Sequence, residues 1–150
     1  MASQSALINV MQKASTAASR GLLRDFGEVE NLQVSRKGPA DFVSRADINA
    51  ERTIRRELAK ARPDWGFQME EGGVIEGADA SVPVWVIDPL DGTTNFAHSF
   101  PSFATSVGLL YKGQVVAGSV VVTIAVDCAD DASCATIAAS VRSQMPRPAS

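Results

Sequence analysis

Apolar positions along residues 4–25 fall at Leu7, Val10, Met11, Ala14, Ala17, Ala18 and Leu22. This is the spacing of one helical face, and Gly27 predicts the helix end. Residues 31–44, NLQVSRKGPADFVS, lose that period and read as extended, with a loop at Arg36-Lys37-Gly38-Pro39. Asp47 then stands as the N-cap of a second helix. In it Ile48, Ile54 and Leu58 share a face, and Pro63 marks the stop. Trp65 to Met69 predicts a short strand ending at Glu70-Glu71-Gly72-Gly73, and Val84 to Ile87 a second strand ending on Asp88. Residues 103–110 and 114–122 are strand-like, with Tyr111-Lys112-Gly113 as a hairpin turn between them. The order predicts an α+β fold, two helices packed on a largely antiparallel sheet. No internal repeat or linker interrupts it before about residue 122. From Thr123 the chain turns rich in Ala and Ser. Residues 132–143 predict a weak helix, and MPRPAS a frayed end.

The 150 residues, 45% of them hydrophobic, suit one globular domain with its own core. A formal charge of −3 argues against a broad nucleic-acid-binding face. No apolar run reaches the ~18 residues of a membrane span. The opening MASQSALINVMQKAS lacks a basic region followed by a long apolar stretch, so the expected setting is cytoplasmic. His98 is the only histidine, which removes Ser/His/Asp and Cys/His nucleophilic schemes and histidine-rich metal sites. Cys128 and Cys134 do not have zinc spacing and read as reduced thiols of no special role. Any catalysis must rest on carboxylates, hydroxyls, backbone amides or a metal.

That narrows attention to WVIDPLDGTTNF, residues 85–96, where an apolar strand runs into two carboxylates three residues apart. Asp-Pro and Asp-Gly alone are ordinary turn chemistry. Asp47 alone is a helix cap, Glu70-Glu71 a solvated turn and Arg55-Arg56 an exposed helix face. If strand 65–69 lies beside strand 84–87, however, Glu70 and Asp88 emerge at the same sheet edge. Crowded carboxylates repel, and burial raises the cost. A divalent cation removes the conflict, and Mg²⁺ suits a few carboxylates plus waters and a substrate phosphate. Gly92-Thr93-Thr94-Asn95 adds a backbone that can approach closely, and Thr93 or Thr94 can cap a short helix whose free amides face an anion. Together these residues make a metal-assisted phosphomonoesterase site with no covalent nucleophile.

DPLDGTTNF, with Trp85 upstream, the earlier MEEGG and the still earlier KGPADFVSRAD, resembles the inositol monophosphatase family in its bacterial branch, from about residue 6 to about residue 121. The resemblance implies the N-terminal part of the layered αβαβα sugar-phosphatase fold. It implies that Glu70, Asp88 and the Leu90 carbonyl hold one Mg²⁺ and that Asp88 and Asp91 hold a second. Asp47, Thr93 and Glu70 would be the catalytic residues, Asp47 and Thr93 orienting and activating the attacking water. Gly92, Thr93 and Thr94 would hold the phosphate, and the Arg36-Lys37-Gly38 loop would lie near the site. The implied substrate is inositol monophosphate or a similar small alcohol phosphate, with histidinol phosphate, fructose bisphosphate and 3′-phosphonucleotides as variants. Inhibition by Li⁺ and a homodimer are also implied, with no membrane contact. Bacterial relatives in RNA transcription complexes suggest the alternative of a non-catalytic interaction protein, reaching nucleic acid through a protein partner.

The likeness stops at about residue 122. The Y-x-P-x-x-x-E and W-D-x-A-A patterns expected further on do not occur, and Asp127, Asp130 and Asp131 sit in no comparable context. Residues 1–122 therefore read as an incomplete metal-binding domain of a substantially longer family. Residues 123–150 read as a divergent tail, expected to be frameshifted or foreign.

Overall fold

A computed structural model of the chain describes residues 4–32, 39–124 and 136–139. Two long helices, α1 (Gln4–Leu32) and α2 (Pro39–Ala61), precede strands β1 (Gly66–Met69), β2 (Gly73–Ile75) and β3 (Val84–Asp91). A five-residue helix, α3 (Thr93–Ala97), leads to β4 (Ser102–Tyr111), β5 (Gln114–Ile124) and β6 (Thr136–Ala139). The strands form one sheet in the order β2-β1-β3-β4-β5-β6. All its pairings are antiparallel except β1 with β3. The α+β architecture with a largely antiparallel sheet is as expected.

The helices depart from the sequence reading in instructive ways. α1 runs through Gly27, which is exposed and where an added Cβ would meet nothing within 4 Å. A glycine inside a helix costs about 1 kcal/mol relative to alanine. Packing on either side offsets it: Val29 is fully buried, and the Phe26 ring lies 5.5 Å from Phe96 and 5.4 Å from Phe103. α2 begins at Pro39, not at Asp47. Proline suits the first turn because its missing N–H would be unpaired there anyway, and Asp41 in the same turn favours the positive end of the helix dipole. Residues 39–44 are thus helical rather than extended, and Asp47 is an interior residue rather than a cap. The Arg36-Lys37-Gly38 segment lies outside the described residues.

One face of the sheet carries the core. Trp85, Ile87, Phe103, Val107, Leu109 and Ala117 alternate with less buried neighbours along β3, β4 and β5. They meet the stripe Leu7, Met11, Ala14, Ala18, Leu22 of α1 and Val43, Ala46, Ala50, Ile54, Leu58 of α2. The β4–β5 hairpin closes through Lys112 and Gly113, both at positive φ (51° and 73°), the backbone that a two-residue turn between twisted strands requires. Of the expected helix at 132–143 only 136–139 are described. They form β6, with Ile137 opposite Val122 on β5. The exposed β5 edge offers unpaired backbone groups, which outweighs a weak helix preference. Cys128 and Cys134 lie outside the described residues. Among the described residues no helix is long and apolar enough to cross a membrane.

The aromatic cluster gives a direct check on this core. Phe96 is fully buried, with Phe103 edge-on at 5.1 Å, whereas Phe100 is 58% exposed. Phe96→Ala should cost about 3–5 kcal/mol by urea denaturation, and Phe100→Ala less than about 0.5 kcal/mol.

Candidate metal centre

The parallel pairing of β1 with β3 brings the acids together. Met69 lies opposite Ile87, so the next residues, Glu70 and Asp88, leave adjacent strands at the same end. Glu70 is held above its usual range, by burial first and then by the carboxylate of Asp88.

Beyond Asp88 the ladder of β3 with β4 slips. Asp88 faces Ser106 and Asp91 faces Ala104, leaving Pro89 and Leu90 in a bulge. Proline, with no N–H to donate, fits this break. The bulge is pinned by hydroxyls: Thr105 donates to the Pro89 carbonyl at 3.0 Å and Thr93 to the Leu90 carbonyl at 3.0 Å. Gly92 follows with φ 92°, and a Cβ there would lie 3.2 Å from the Ser102 carbonyl and 3.4 Å from Phe103 Cα. Positive φ and close approach both select glycine. Gly92 is the N-cap of α3, and neither Thr93 nor Thr94 caps it through a side chain. The expected threonine cap is replaced because the Thr93 hydroxyl is drawn back to Leu90. Asn95 ties α3 to β4 through the Ser102 carbonyl at 3.0 Å. His98 is exposed, its Nδ1 2.8 Å from the Thr94 carbonyl oxygen.

From α2, Asp47 enters the same region. It is only 5% exposed, and its Oδ1 is buried with no hydrogen-bond partner, as is Oδ1 of Asp88. Burial, then the charges of Glu71, Glu70, Asp88 and Glu51, push Asp47 up to about 7. Glu51 was missed by the sequence reading. It lies one helical turn after Asp47 and is equally buried, and it accepts the Glu71 amide at 2.9 Å and the Gly72 amide at 2.7 Å. Its signal was an acid at i+4 from Asp47 on a face otherwise lined by Ala46, Ala50 and Ile54.

Five carboxyls, Asp47, Glu51, Glu70, Glu71 and Asp88, therefore share one field. None forms an ion pair among the described residues, whose salt bridges are Arg56 and Lys60 to Glu57. Asp91 lies beyond the bulge, exposed, and is not among the charges acting on Asp47 or Glu70. Among the described residues no three acids are already grouped closely enough to hold a metal ion. The donor set nonetheless fits a hard divalent cation. It offers all-oxygen ligands, two orphaned buried carboxylate oxygens, and a Leu90 carbonyl with a lone pair left after accepting Thr93. A cleft of ≈ 240 Å³ lined by Glu51, Arg52, Arg55 and Glu71 opens beside these acids and does not include Asp47 or Asp88.

The raised proton affinity of Asp47 has a consequence for stability. The unfolded chain releases this proton near the ordinary value of 3.8, and the folded chain only near 7. Folding thus binds a proton between these values, and the metal-free protein loses stability as pH rises through that window, levelling off above it. At about 1.4 kcal/mol per pKa unit the loss is a few kcal/mol. Asp47→Asn should raise the melting temperature of metal-free protein by several degrees at about pH 8 and little at about pH 4. An equal shift at both values would contradict this account.

Comparison with known proteins bears on the same residues. The model of the inositol monophosphatase family matches residues 3–136. The chain is 60% identical over 115 residues to the inositol-1-monophosphatase of Mesorhizobium japonicum, covering 77% of this chain and 43% of that protein. It is 40% identical over 110 residues to the Nus factor SuhB of Pseudomonas aeruginosa, covering 73% and 41%. Among solved structures it resembles the extragenic suppressor protein suhB of Bartonella henselae, with TM-score 0.68 and 45% identity over 91% of this chain and 53% of that one. The chain spans less than half the length of these curated relatives. With the match running through α1, α2, the β1 turn and the Asp88–Thr94 segment, this chain belongs to the inositol monophosphatase family.

Proposed function

We propose that this chain carries the metal-binding part of a Mg²⁺-dependent phosphomonoesterase that hydrolyses inositol monophosphate or a similar small alcohol phosphate. The observation that carries the proposal is the convergence of Asp47, Glu70 and Asp88 from three elements, with the proton affinity of Asp47 and Glu70 raised and no ion pair to any of the three among the described residues. Perturbed carboxyls at one point mark functional sites. Family membership supports the reaction class.

In this reading Glu70, Asp88, the Leu90 carbonyl and Asp91 hold Mg²⁺, which when bound would neutralise the acids, polarise the phosphate and make a water more acidic. The rest falls to the chain. Asp47, buried on α2 beside these acids with its Oδ1 unpaired, accepts the proton of the attacking water. Thr93, whose hydrogen is committed to Leu90, presents a lone pair that orients that water. Gly92, Thr93 and Thr94 set their backbone against the phosphate, on a turn that the positive φ of Gly92 permits. The proposal extends to a cytoplasmic homodimer and to inhibition by Li⁺, both implied by the family likeness.

A second reading has its own support, the 40% identity to a protein named as a Nus factor. Here the chain acts as a non-catalytic partner in an RNA transcription complex. The two readings diverge on one substitution. If the chain is an enzyme, purified protein should release phosphate from inositol 1-phosphate only with Mg²⁺, and Asp91→Asn should lower the rate at least about 100-fold. If it is a binding module, Asp91→Asn should recover RNA polymerase components as well as wild type does, and no phosphate release should depend on Mg²⁺.

A further inference from the structure

Glu51 is the most firmly bonded acid of the cluster. Both its oxygens accept amides from one turn, Gly72 at 2.7 Å and Glu71 at 2.9 Å. That turn joins β1 to β2 and begins at Glu70. Gly72 fits because it lacks a side chain: a Cβ there would stand 3.0 Å from Glu51 Oε1 and 2.9 Å from Met69 Cε. Burying a carboxylate is costly, and paired amides recover part of that cost through charge-assisted hydrogen bonds. Setting one more negative charge among Asp47, Glu70 and Asp88 raises the cost again. For stability alone a neutral side chain would serve this position better. The cost makes sense where the position of the turn matters for what Glu70 does.

We propose that Glu51 is a positioning residue for the metal centre: it fastens the Glu70–Gly72 turn to α2 and so fixes the Glu70 carboxylate beside Asp88. The inference rests on the metal-dependent reading above. Asp47 hangs from the preceding turn of the same helix, so α2 sets the place of Asp47 directly and that of Glu70 through Glu51. Glu51 itself touches neither metal nor substrate in this scheme.

The test uses the full chain with Mn²⁺ as the probe, titrated calorimetrically well below the melting temperature, and amide hydrogen exchange at Glu71 and Gly72 without metal. Glu51→Ala should weaken Mn²⁺ binding about 10-fold or more, the range found when a residue that orients a ligand is lost, and speed exchange at both amides. Glu51→Gln, which keeps the shape and one acceptor, should recover part of the affinity. Gly72→Ala, which pushes on the same contact from the turn, should reproduce the loss, and it serves as the test should Glu51→Ala not fold. Affinity within about twofold of wild type in Glu51→Ala, or in Gly72→Ala in its place, overturns the proposal. Asp88→Asn separates the two levels. If it binds Mn²⁺ as well as wild type does, the metal reading falls and this inference with it. If Asp88→Asn abolishes binding while Glu51→Ala leaves it intact, the positioning role alone falls.

Discussion

The parallel register of β1 with β3 is the constraint on which this molecule turns. In an otherwise antiparallel sheet, this one pairing sends two strands out at the same end, with Met69 level with Ile87. Glu70 and Asp88 then have to share space, and Asp88 helps to hold the Glu70 carboxyl above its usual range. An antiparallel pairing would have sent the ends of the two strands apart and kept the two acids from meeting. The bulge at Pro89–Leu90 belongs to the same arrangement, because it breaks the regular ladder just past Asp88 and leaves the Leu90 carbonyl to accept from Thr93.

Helix α2 supplies the other half of the site. It lays Ala46, Ala50, Ile54 and Leu58 into the core and carries Asp47 and Glu51 on the adjoining buried face. A helix packed this firmly cannot move its acids away from those of the sheet. Repulsion and burial are therefore answered by a raised proton affinity at Asp47 and Glu70 and by amide hydrogen bonds at Glu51. Each answer is one that a bound cation would relieve or exploit. The core gives up local stability at this edge and holds it at the aromatic cluster of Phe26, Phe96 and Phe103 behind α3.

Much of this was readable in the sequence, for identifiable reasons. Strands β3, β4 and β5 announce themselves by apolar runs between turn residues, and the Lys112-Gly113 turn by its chemistry. The helix boundaries were harder. Pro39 looks like a breaker but is favoured in a first turn, and Gly27 looks like a stop but is outvoted by Phe26 and Val29. Asp47 is an interior residue of α2 rather than its cap, since capping preference cannot tell that a helix has already begun eight residues earlier. The short β6 ran against local helix preference because the edge of β5 was available to pair.

The sequence by itself determined the ingredients: an α+β order of elements, acids at the ends of two strands, and the Asp88–Thr94 motif that marks the family. Those follow from local periodicity and turn chemistry, which act over a few residues. Only the tertiary structure decided that β1 and β3 run parallel, that Glu51 reaches across to the Glu71 and Gly72 amides, and that Asp47 is buried among like charges. These depend on groups some twenty residues apart being brought into contact, and on the dielectric they then share. No local pattern along the chain encodes either.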